Sequence, residues 1–316
     1  MYDNIPKFSD IKRAHQKIDK YIRQTPVLTS ISINEIVGAN VFLKCENFQK
    51  VGAFKMRGAT NVVMSYLPEK RVNGFATHSS GNHAQAVAQA ARVAGAKAYI
   101  VMPENAANVK KSAVKDYGAE VTFCKPNEKA RVETCNKILE ETNAIFVPPF
   151  DDSRIIAGQA TAAKELIEYE PDLDYMITPV GGGGLAAGTA LIANYVSPTT
   201  KVILGEPANV NDTYKSFKTG KLTGVGKKKS IADGLLVSLG ELNFEIIRKY
   251  VEDVVTVKEE EIVFAMRLIW ERMKIIIEPS SAVAIATIIK DRKRLAGKNV
   301  GVIITGGNVD LSELPF

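Results

Sequence analysis

Short apolar runs alternate with amphipathic stretches along most of the chain. The clearest apolar runs lie at 74–78, 98–102, 121–124, 145–147, 175–179 and 300–304, and each predicts a β-strand. Segments of helical composition separate several of them, at 84–94, 128–142 and 185–196. This alternation is typical of an α/β fold, with mostly parallel, twisted sheets flanked by helices.

The chain is long enough for two lobes. Its 316 residues exceed the usual size of one compact domain. The strand–helix units between 74 and 147 form a compact block, and Pro148-Pro149 marks the crossing to the remaining chain. We therefore expect a small lobe of residues 74–147, a large lobe made from 1–73 and 148–316, and one active site shared by both.

The charge pattern argues against a nucleic-acid partner. The formal net charge is +6, but acidic and basic residues alternate along the chain instead of segregating. Lys227-Lys228-Lys229 is a tight basic run, and it predicts a solvated loop.

A membrane location is also disfavoured. The uncharged stretch 176–200 is about long enough to cross a bilayer. However, Pro179 and four consecutive glycines would break a spanning helix, so a strand, a loop and a buried helix are the better interpretation. The start of the chain lacks the apolar core of a signal peptide, and three unpaired cysteines are typical of reduced thiols. We expect a cytoplasmic protein.

Gly181-Gly182-Gly183-Gly184 follows a predicted strand and opens a predicted helix. Backbone N–H groups converge at such a junction, where the helix dipole favours an anion, so the sequence predicts a phosphate site. A flexible turn or a dinucleotide loop is the alternative. The spaced glycine fingerprint of dinucleotide-binding loops is missing, and so is the Lys-Ser/Thr pair of a P-loop.

Two other junctions carry reactive side chains. Lys55 lies after a glycine turn where a helix begins, and the helix N-terminus should lower the pKa of its amine; an ordinary surface lysine is the alternative. Ser79-Ser80-Gly81-Asn82-His83 joins a strand to a helix and is rich in donors suited to a carboxylate, although helix capping alone would also explain it. Thr305-Gly306-Gly307-Asn308, by itself, is only a glycine turn.

Together these segments resemble the β-family, or fold type II, of pyridoxal-phosphate (PLP) enzymes, whose architecture is like that of the tryptophan synthase β-subunit. The closest branch contains serine racemases and serine/threonine or hydroxyaspartate ammonia-lyases. The likeness runs from about Thr25 to Leu311. Its motifs, in family order, are the Thr25–Ser30 segment, the Lys55 segment, Ser79–His83, Ala157-Gly158-Gln159, the four glycines, Ile231–Gly234, Glu278-Pro279 and Gly306-Gly307-Asn308.

The resemblance implies a cofactor site. In it Lys55 forms the imine with PLP, Phe54 packs beside the ring and Gly181–Gly184 hold the phosphate. Asn82 addresses the phenolic oxygen, and Thr305 faces the pyridine nitrogen. A neutral hydroxyl there should not protonate that nitrogen, which limits the build-up of a stabilised carbanion.

The resemblance also implies the substrate site. Racemisation needs proton transfer on both faces of the α-carbon, with Lys55 on one face and Ser80 on the other. Loss of the β-hydroxyl after the α-proton leaves would compete with racemisation. The expected substrate-binding residues are Ser79, Ser80, Asn82, His83 and Arg131, of which Arg131 would pair with a carboxylate when the small lobe closes. A solvated helical arginine is the alternative for Arg131.

Glu206 and Asp212, with the Val210 carbonyl between them, resemble the divalent-cation loop of this branch. Hard oxygen ligands suit Mg²⁺, or else Ca²⁺ or Mn²⁺. Without the resemblance, the two acids would be interpreted as surface carboxylates. The resemblance further implies a homodimer and allows a nucleotide effector at the subunit interface.

Three functions fit this pattern. The first is a serine racemase that also converts serine to pyruvate and ammonia. The second is a threonine/serine or 3-hydroxyaspartate ammonia-lyase with little racemisation, favoured by Val132 and Val237 where racemases usually have glutamate and often serine. The third is a catalytically silent amino-acid sensor, against which the joint presence of Lys55 and Ser80 argues.

Overall fold

A computed structural model of the chain describes residues 5–106, 108–226 and 229–316, with the backbone alone at Val109. Lys227 and Lys228, on which the predicted solvated basic loop depends, lie outside the described residues. The strands are β1 Val27–Leu28, β2 Asn40–Cys45, β3 Phe75–His78, β4 Ala98–Pro103, β5 Glu120–Cys124, β6 Ile145–Phe146, β7 Tyr175–Pro179, β8 Lys201–Pro207, β9 Asp253–Val257 and β10 Asn299–Ile304.

The helices alternate with these strands over most of the chain. They are α1 Phe8–Ile18, α2 Ile31–Val37, α3 Lys55–Met64, α4 Asn82–Val93, α5 Asn108–Asp116, α6 Glu128–Thr142, α7 Ser153–Tyr169, α8 Gly184–Val196, α9 Asp212–Thr219, α10 Glu241–Tyr250, α11 Glu259–Met273, α12 Pro279–Lys290 and α13 Arg292–Leu295. The helix bounds follow local capping: at α6, the Asn127 side chain accepts a hydrogen bond from the Ala130 N–H, and Asn143 ends the helix at φ 53°.

The larger sheet has the strand order β1-β2-β10-β7-β8-β9, and its neighbours are parallel except for β1 with β2. Apolar side chains of α7, α8 and α10 cover one face, and those of α2, α11 and α12 cover the other. A parallel sheet buried on both faces explains why 176–200 is uncharged: it is β7 and the buried helix α8. Within the described part of the chain, no helix is long and apolar enough to cross a membrane.

The smaller sheet has the order β5-β4-β3-β6, with every neighbouring pair parallel. All four strands lie between residues 75 and 146, whereas the larger sheet takes strands from both sides of this stretch. The α/β fold with mostly parallel sheets flanked by helices is confirmed. The lobe boundaries at 73/74 and 147/148 stay a prediction.

Helix α3 lies between α7, which covers the larger sheet, and α4, which packs on the smaller sheet. Its crossing with α7 is unusually close because two glycines meet there. A Cβ on Gly158 would lie 2.6 Å from the Gly58 Cα. This packing fixes the position of α3, and Lys55 is its first residue.

A buried ion network anchors the same helix. The guanidinium of Arg57 makes paired hydrogen bonds to Glu46, at 2.7 and 2.8 Å, and to Glu165, at 2.6 and 2.8 Å. Lys44 also donates to Glu165, at 2.6 Å, through an oxygen that it shares with Arg57. Arg57, Glu46 and Glu165 are almost fully buried, so each charge depends on its partners for compensation.

Arg57→Met should therefore lower the free energy of unfolding by about 3–5 kcal/mol, because it leaves the buried carboxylate of Glu46 without a cationic partner and removes one of the cations that compensate Glu165. Urea denaturation followed by circular dichroism measures the change. Arg267→Met is the matched control, because Arg267 is 61% exposed and pairs with Glu271 four residues later. This substitution should change the free energy of unfolding by no more than about 0.5 kcal/mol. Equal losses in the two variants would contradict a stabilising role for the network.

Candidate active site

Lys55 lies at the N-terminus of α3, as the sequence predicts. Its side chain is half-buried, and its amine donates a 2.7 Å hydrogen bond to the Pro149 carbonyl. Loss of solvation around the amine lowers the pKa of Lys55 to about 8. The direction matches the sequence-based expectation, but the cause is burial rather than the helix terminus. A substantial neutral fraction near pH 7 to 8 makes this amine a competent nucleophile.

Phe54 holds the turn before α3 against the turn after β10. Its N–H donates to the Thr305 carbonyl at 3.0 Å, and Ala53 forms an antiparallel bridge with Gly306. The Phe54 ring centroid lies 5.3 Å from the Lys55 amine. An aromatic ring therefore lies beside the Lys55 amine, where the resemblance implies the cofactor ring.

The four glycines form the loop between β7 and α8, and bulkier residues would not fit. Gly183 has φ +94°, and a Cβ on it would lie 2.6 Å from Leu239 Cδ1. A Cβ on Gly182 would lie 2.3 Å from the ring of Phe150. The Asn243 side chain fixes the loop by donating to the Gly182 carbonyl at 2.7 Å. Because α8 begins at Gly184, the N–H groups of its first turn are available to an anion.

The lysine and the glycine loop are linked through adjacent residues. Pro149 accepts the Lys55 hydrogen bond, and its neighbour Phe150 packs against Gly182 and Gly184. Two adjacent residues thus connect the amine to the loop at the N-terminus of α8. This combination fits a cofactor that carries both an aldehyde and a phosphate.

Gly183→Ala should weaken PLP binding by at least about tenfold, since the new methyl needs a disfavoured backbone conformation and displaces Leu239. Titration of the cofactor-free protein with PLP measures the affinity. Gly220→Ala is the matched control, because Gly220 has φ +70° and a Cβ placed on it would meet nothing within 4 Å. The Gly220→Ala variant bears similar backbone strain and should retain the PLP affinity of the parent. A loss of PLP affinity in both variants would show that backbone strain alone is the cause.

Asn82 begins α4, directly after the Ser79–Gly81 turn. Its amide donates to Glu278 at 2.9 Å, and its carbonyl oxygen accepts from Asn308 at 2.8 Å. Burial raises the pKa of Glu278 to about 8, and the charge of Asp233 adds to the shift. The orientation of Asn82 is therefore set by two residues that come from the C-terminal part of the chain.

Thr305 directly follows β10. It is buried, and its hydroxyl lies 2.8 Å from the hydroxyl of Ser281, which also bonds the backbone of Gly306. The group is neutral and held in place, as expected for a hydroxyl facing a pyridine nitrogen.

His83 is buried behind the serine turn. Its Nε2 lies 3.1 Å from the Val147 carbonyl, and burial, followed by the charge of Lys55, lowers its pKa to about 3. The ring is neutral at physiological pH and supports the turn rather than supplying charge. Ser79 and Ser80 lie half-buried at the end of β3, where the Ser79 N–H donates to the Val101 carbonyl at 3.1 Å.

Arg131 is half-buried on α6. Its positive charge contributes, after burial, to a lowered pKa of His78 at the end of β3. His78 stacks on Phe146, with ring centroids 5.6 Å apart, and lies two residues before Ser80. Arg131 is thus electrostatically coupled to the strand that carries the serine turn.

Glu206 and Asp212 are both buried, as are most groups around them. Glu206 accepts hydrogen bonds from the Thr213 and Tyr214 N–H groups, each at 2.8 Å, and Asp212 accepts one from Leu239 at 3.3 Å. Burial raises the pKa of Glu206 to about 8, with a further contribution from Asp212. The two buried carboxylates repel each other's negative charge, and a bound cation would compensate both charges. The described residues contain no cluster of three or more His, Cys, Asp or Glu suited to a metal, so this site would depend on the Val210 carbonyl as well.

Sequence reasoning assigned no role to several residues of this region. Glu278 was recognised only as part of a motif, although an acid between an apolar run and a helix-starting proline is itself a signal of a buried carboxylate. The ion pair of Lys110 on α5 with Asp233 was also missed. It joins a helix beside the smaller sheet to a turn beside the larger one, and nothing in the local sequence indicates it.

Comparisons with known proteins agree with this geometry. A family model described as pyridoxal-phosphate dependent enzyme matches residues 18–306. The β-hydroxyaspartate dehydratase of Paracoccus denitrificans (strain Pd 1222) is 47% identical over 312 residues, which cover 99% of each chain. The serine racemase of Dictyostelium discoideum is 49% identical over 311 residues, covering 96% of this chain and 95% of that protein.

Solved structures show the same likeness. The crystal structure of serine racemase from Dictyostelium discoideum matches with a TM-score of 0.92 at 48% identity, covering 96% of this chain and 99% of that chain. The structure of maize serine racemase matches with a TM-score of 0.95 at 38% identity, covering 97% of this chain and 94% of that chain.

Proposed function

This chain belongs to the family of pyridoxal-phosphate-dependent enzymes, and from that premise we propose that it is a serine racemase which also eliminates water from serine. The observation that carries the proposal is the link of Lys55 to the glycine loop through Pro149 and Phe150, with the serine turn placed at the start of α4. The serine racemases among its relatives support it, because the likeness extends over nearly the whole chain.

When bound, PLP supplies an electron-withdrawing ring that acidifies the α-proton of an attached amino acid. The residues of this chain that would hold it are Lys55, Phe54, Asn82, Gly181, Gly182, Gly183, Gly184 and Thr305. The glycine loop offers backbone donors at the start of α8 to the phosphate. Thr305 offers a neutral hydroxyl at the ring nitrogen.

Two residues move protons in this proposal. The Lys55 amine, with its pKa lowered to about 8, accepts a proton from one face of the α-carbon and returns it. The Ser80 hydroxyl serves the other face, and its position just before α4 lets the helix N-terminus stabilise the developing negative charge on Oγ. Inversion requires both groups, whereas removal of one enantiomer's proton needs only one of them.

Substrate orientation is assigned to the remaining polar groups. Ser79 and Asn82 offer donors to the substrate carboxylate at the start of α4, and neutral His83 supports the turn. Arg131 supplies positive charge from α6. Once the α-proton is lost, departure of the β-hydroxyl competes with reprotonation, so the same residues support elimination to pyruvate and ammonia.

A second candidate, a 3-hydroxyaspartate ammonia-lyase, is favoured by one observation: the dehydratase relative matches 99% of the chain at 47% identity. Positive charge at Arg131 suits a second substrate carboxylate. The ratio of kcat/KM for serine, threonine and 3-hydroxyaspartate distinguishes the candidates. The racemase assignment would be overturned if kcat/KM for 3-hydroxyaspartate were at least about a hundredfold above kcat/KM for serine and no D-serine were formed.

We also propose that Glu206, Asp212 and the Val210 carbonyl bind Mg²⁺, with Ca²⁺ or Mn²⁺ as substitutes. The fit of two buried carboxylates to a cation supports this.

Mg²⁺ at about 100 times its Kd should stabilise the fold by about 2.7 kcal/mol, which thermal denaturation with and without the ion measures. Glu206→Gln should lose this stabilisation, because it removes a charged ligand. Glu35→Gln, at an exposed position on α2, should keep it. Stabilisation that survives in Glu206→Gln would place the ion elsewhere.

Assembly and location are further proposals. We propose a homodimer, which the resemblance to this branch of the family implies, and sedimentation velocity would measure it. Cys45, Cys124 and Cys135 are free and buried, which supports a reducing, cytoplasmic location. A nucleotide effector stays a prediction.

A further inference from the structure

A cavity of about 290 Å³ lies between the start of α1, the end of α3 and the start of α7. It is lined by none of the residues assigned to the cofactor, the substrate or the metal. Four basic side chains line it, namely Lys7, Arg13, Lys17 and Arg154, together with one acid, Asp10. The lining therefore carries four positive charges against one negative charge.

The helix periodicity explains how the cations gather. On α1, Arg13 and Lys17 are four residues apart and lie on one face, next to the face that buries Ile11, Ala14 and Ile18. The segment before the helix is held in place, because the Tyr195 hydroxyl donates to the Pro6 carbonyl at 2.9 Å. Lys7 therefore lies at the rim of the cavity.

The opposite wall is also fixed. Arg154 makes hydrogen bonds of 3.0 and 2.7 Å to Asp152 and one of 2.8 Å to the Tyr66 hydroxyl. Lys17 donates to Ser65 at 2.8 Å. Even with Asp152 counted as the partner of Arg154, and Asp10 as the partner of Arg13, Lys7 and Lys17 leave the cavity with an excess of positive charge.

The cations in this cavity disfavour one another. The pKa of Lys17 is lowered by burial and then by the charges of Arg13 and Arg154. Like charges brought together in a concave, partly desolvated space raise the electrostatic potential there and attract a counter-ion. A monovalent ion would compensate only part of the excess, whereas an anion with two charges could contact both α1 and α7.

We propose that this cavity binds a small multivalent anion, a dicarboxylate or a phosphoryl compound, with Arg13 and Lys17 as its principal charged contacts. The ligand spans α1, α3 and α7, and the Ser153 hydroxyl at the start of α7 completes its hydrogen bonds. The volume accommodates a metabolite of a few heavy atoms, not a nucleotide.

The test uses the PLP-loaded enzyme, so that the cofactor's own phosphate site is filled. Calorimetric titrations with succinate and with inorganic phosphate measure binding without turnover, which keeps the result independent of the proposed catalytic function. Acetate is the control for valence. The cavity variant is Arg13→Gln with Lys17→Gln. The matched control is Lys12→Gln with Lys20→Gln, which removes the same charge from two exposed positions beside the cavity residues.

We expect saturable binding of succinate or phosphate to the parent and to the control variant, and at least about tenfold weaker binding to the cavity variant. Acetate should bind at least about tenfold more weakly than the divalent probes. A preference for succinate identifies a dicarboxylate, and a preference for phosphate identifies a phosphoryl compound. Binding in the active site would be unchanged in both variants. Equal affinities in the cavity and control variants, or no saturable binding at millimolar concentration, would overturn the proposal.

Discussion

Lys55→Ala is expected to abolish the formation of both D-serine and pyruvate, with a loss of more than about 10³-fold in kcat. The amine is the only nucleophile that the proposed mechanism uses, and it is also the proton carrier on one face of the substrate. Its half-buried position and its pKa of about 8 make it neutral enough for both tasks. Chiral chromatography for D-serine and a coupled assay for pyruvate measure the two activities.

The control for this variant is Lys70→Ala, at an exposed lysine six residues beyond the end of α3. It should retain both activities. Borohydride reduction of the PLP-loaded parent, followed by peptide mass spectrometry, should mark Lys55 and leave Lys70 unmodified. Turnover by Lys55→Ala within tenfold of the parent would exclude Lys55 as the catalytic amine.

Ser80→Ala is expected to separate the two activities. D-serine formation from L-serine should fall by about 10² to 10⁴-fold, because the proton donor on one face is removed. Pyruvate formation should stay within about tenfold, because abstraction by Lys55 on the other face is unaffected. The split between two products of one enzyme is a readout that a merely structural serine would not give.

Ser79→Ala is the matched control, one residue earlier on the same turn. Ser79 is assigned to binding, so its variant should lower both products by a similar factor, mainly through KM. If Ser80→Ala instead lowers both products equally, Ser80 only orients the substrate. If it leaves D-serine formation intact, the two-base assignment is wrong.

The sequence predicts elements well where local signals decide them. The bounds predicted for α6 and β7 coincide with the structure, because a capping asparagine marks α6, and Asp174 precedes and the glycine loop follows the apolar run of β7. The glycine loop could be predicted equally well, because four consecutive glycines between a strand and a helix strongly favour a loop conformation. These features depend on neighbours in the sequence.

Contacts between distant segments could not be predicted. The Arg57 network joins residues up to 121 positions apart, and the hydrogen bond from Asn82 to Glu278 spans 196 positions. Each partner is an ordinary charged or polar residue in its own segment. Only the burial of α3 between the sheets makes the pairing necessary.

The pKa of Lys55 illustrates a correct expectation with a different cause. The helix N-terminus suggested a lowered value, and the value is lowered, but desolvation accounts for it. Desolvation depends on packing around Pro149 and the smaller sheet, which the sequence alone does not specify. The roles of Ser80 and Arg131 depend in the same way on how closely the serine turn approaches a substrate, and these roles stay predictions.

The most direct test of the central claim is the yield of D-serine and of pyruvate from L-serine by the parent enzyme, loaded with PLP in the presence of Mg²⁺. A serine racemase with elimination activity gives both products, and D-serine as substrate gives L-serine. Pyruvate without any D-serine would contradict the racemase assignment and identify an ammonia-lyase.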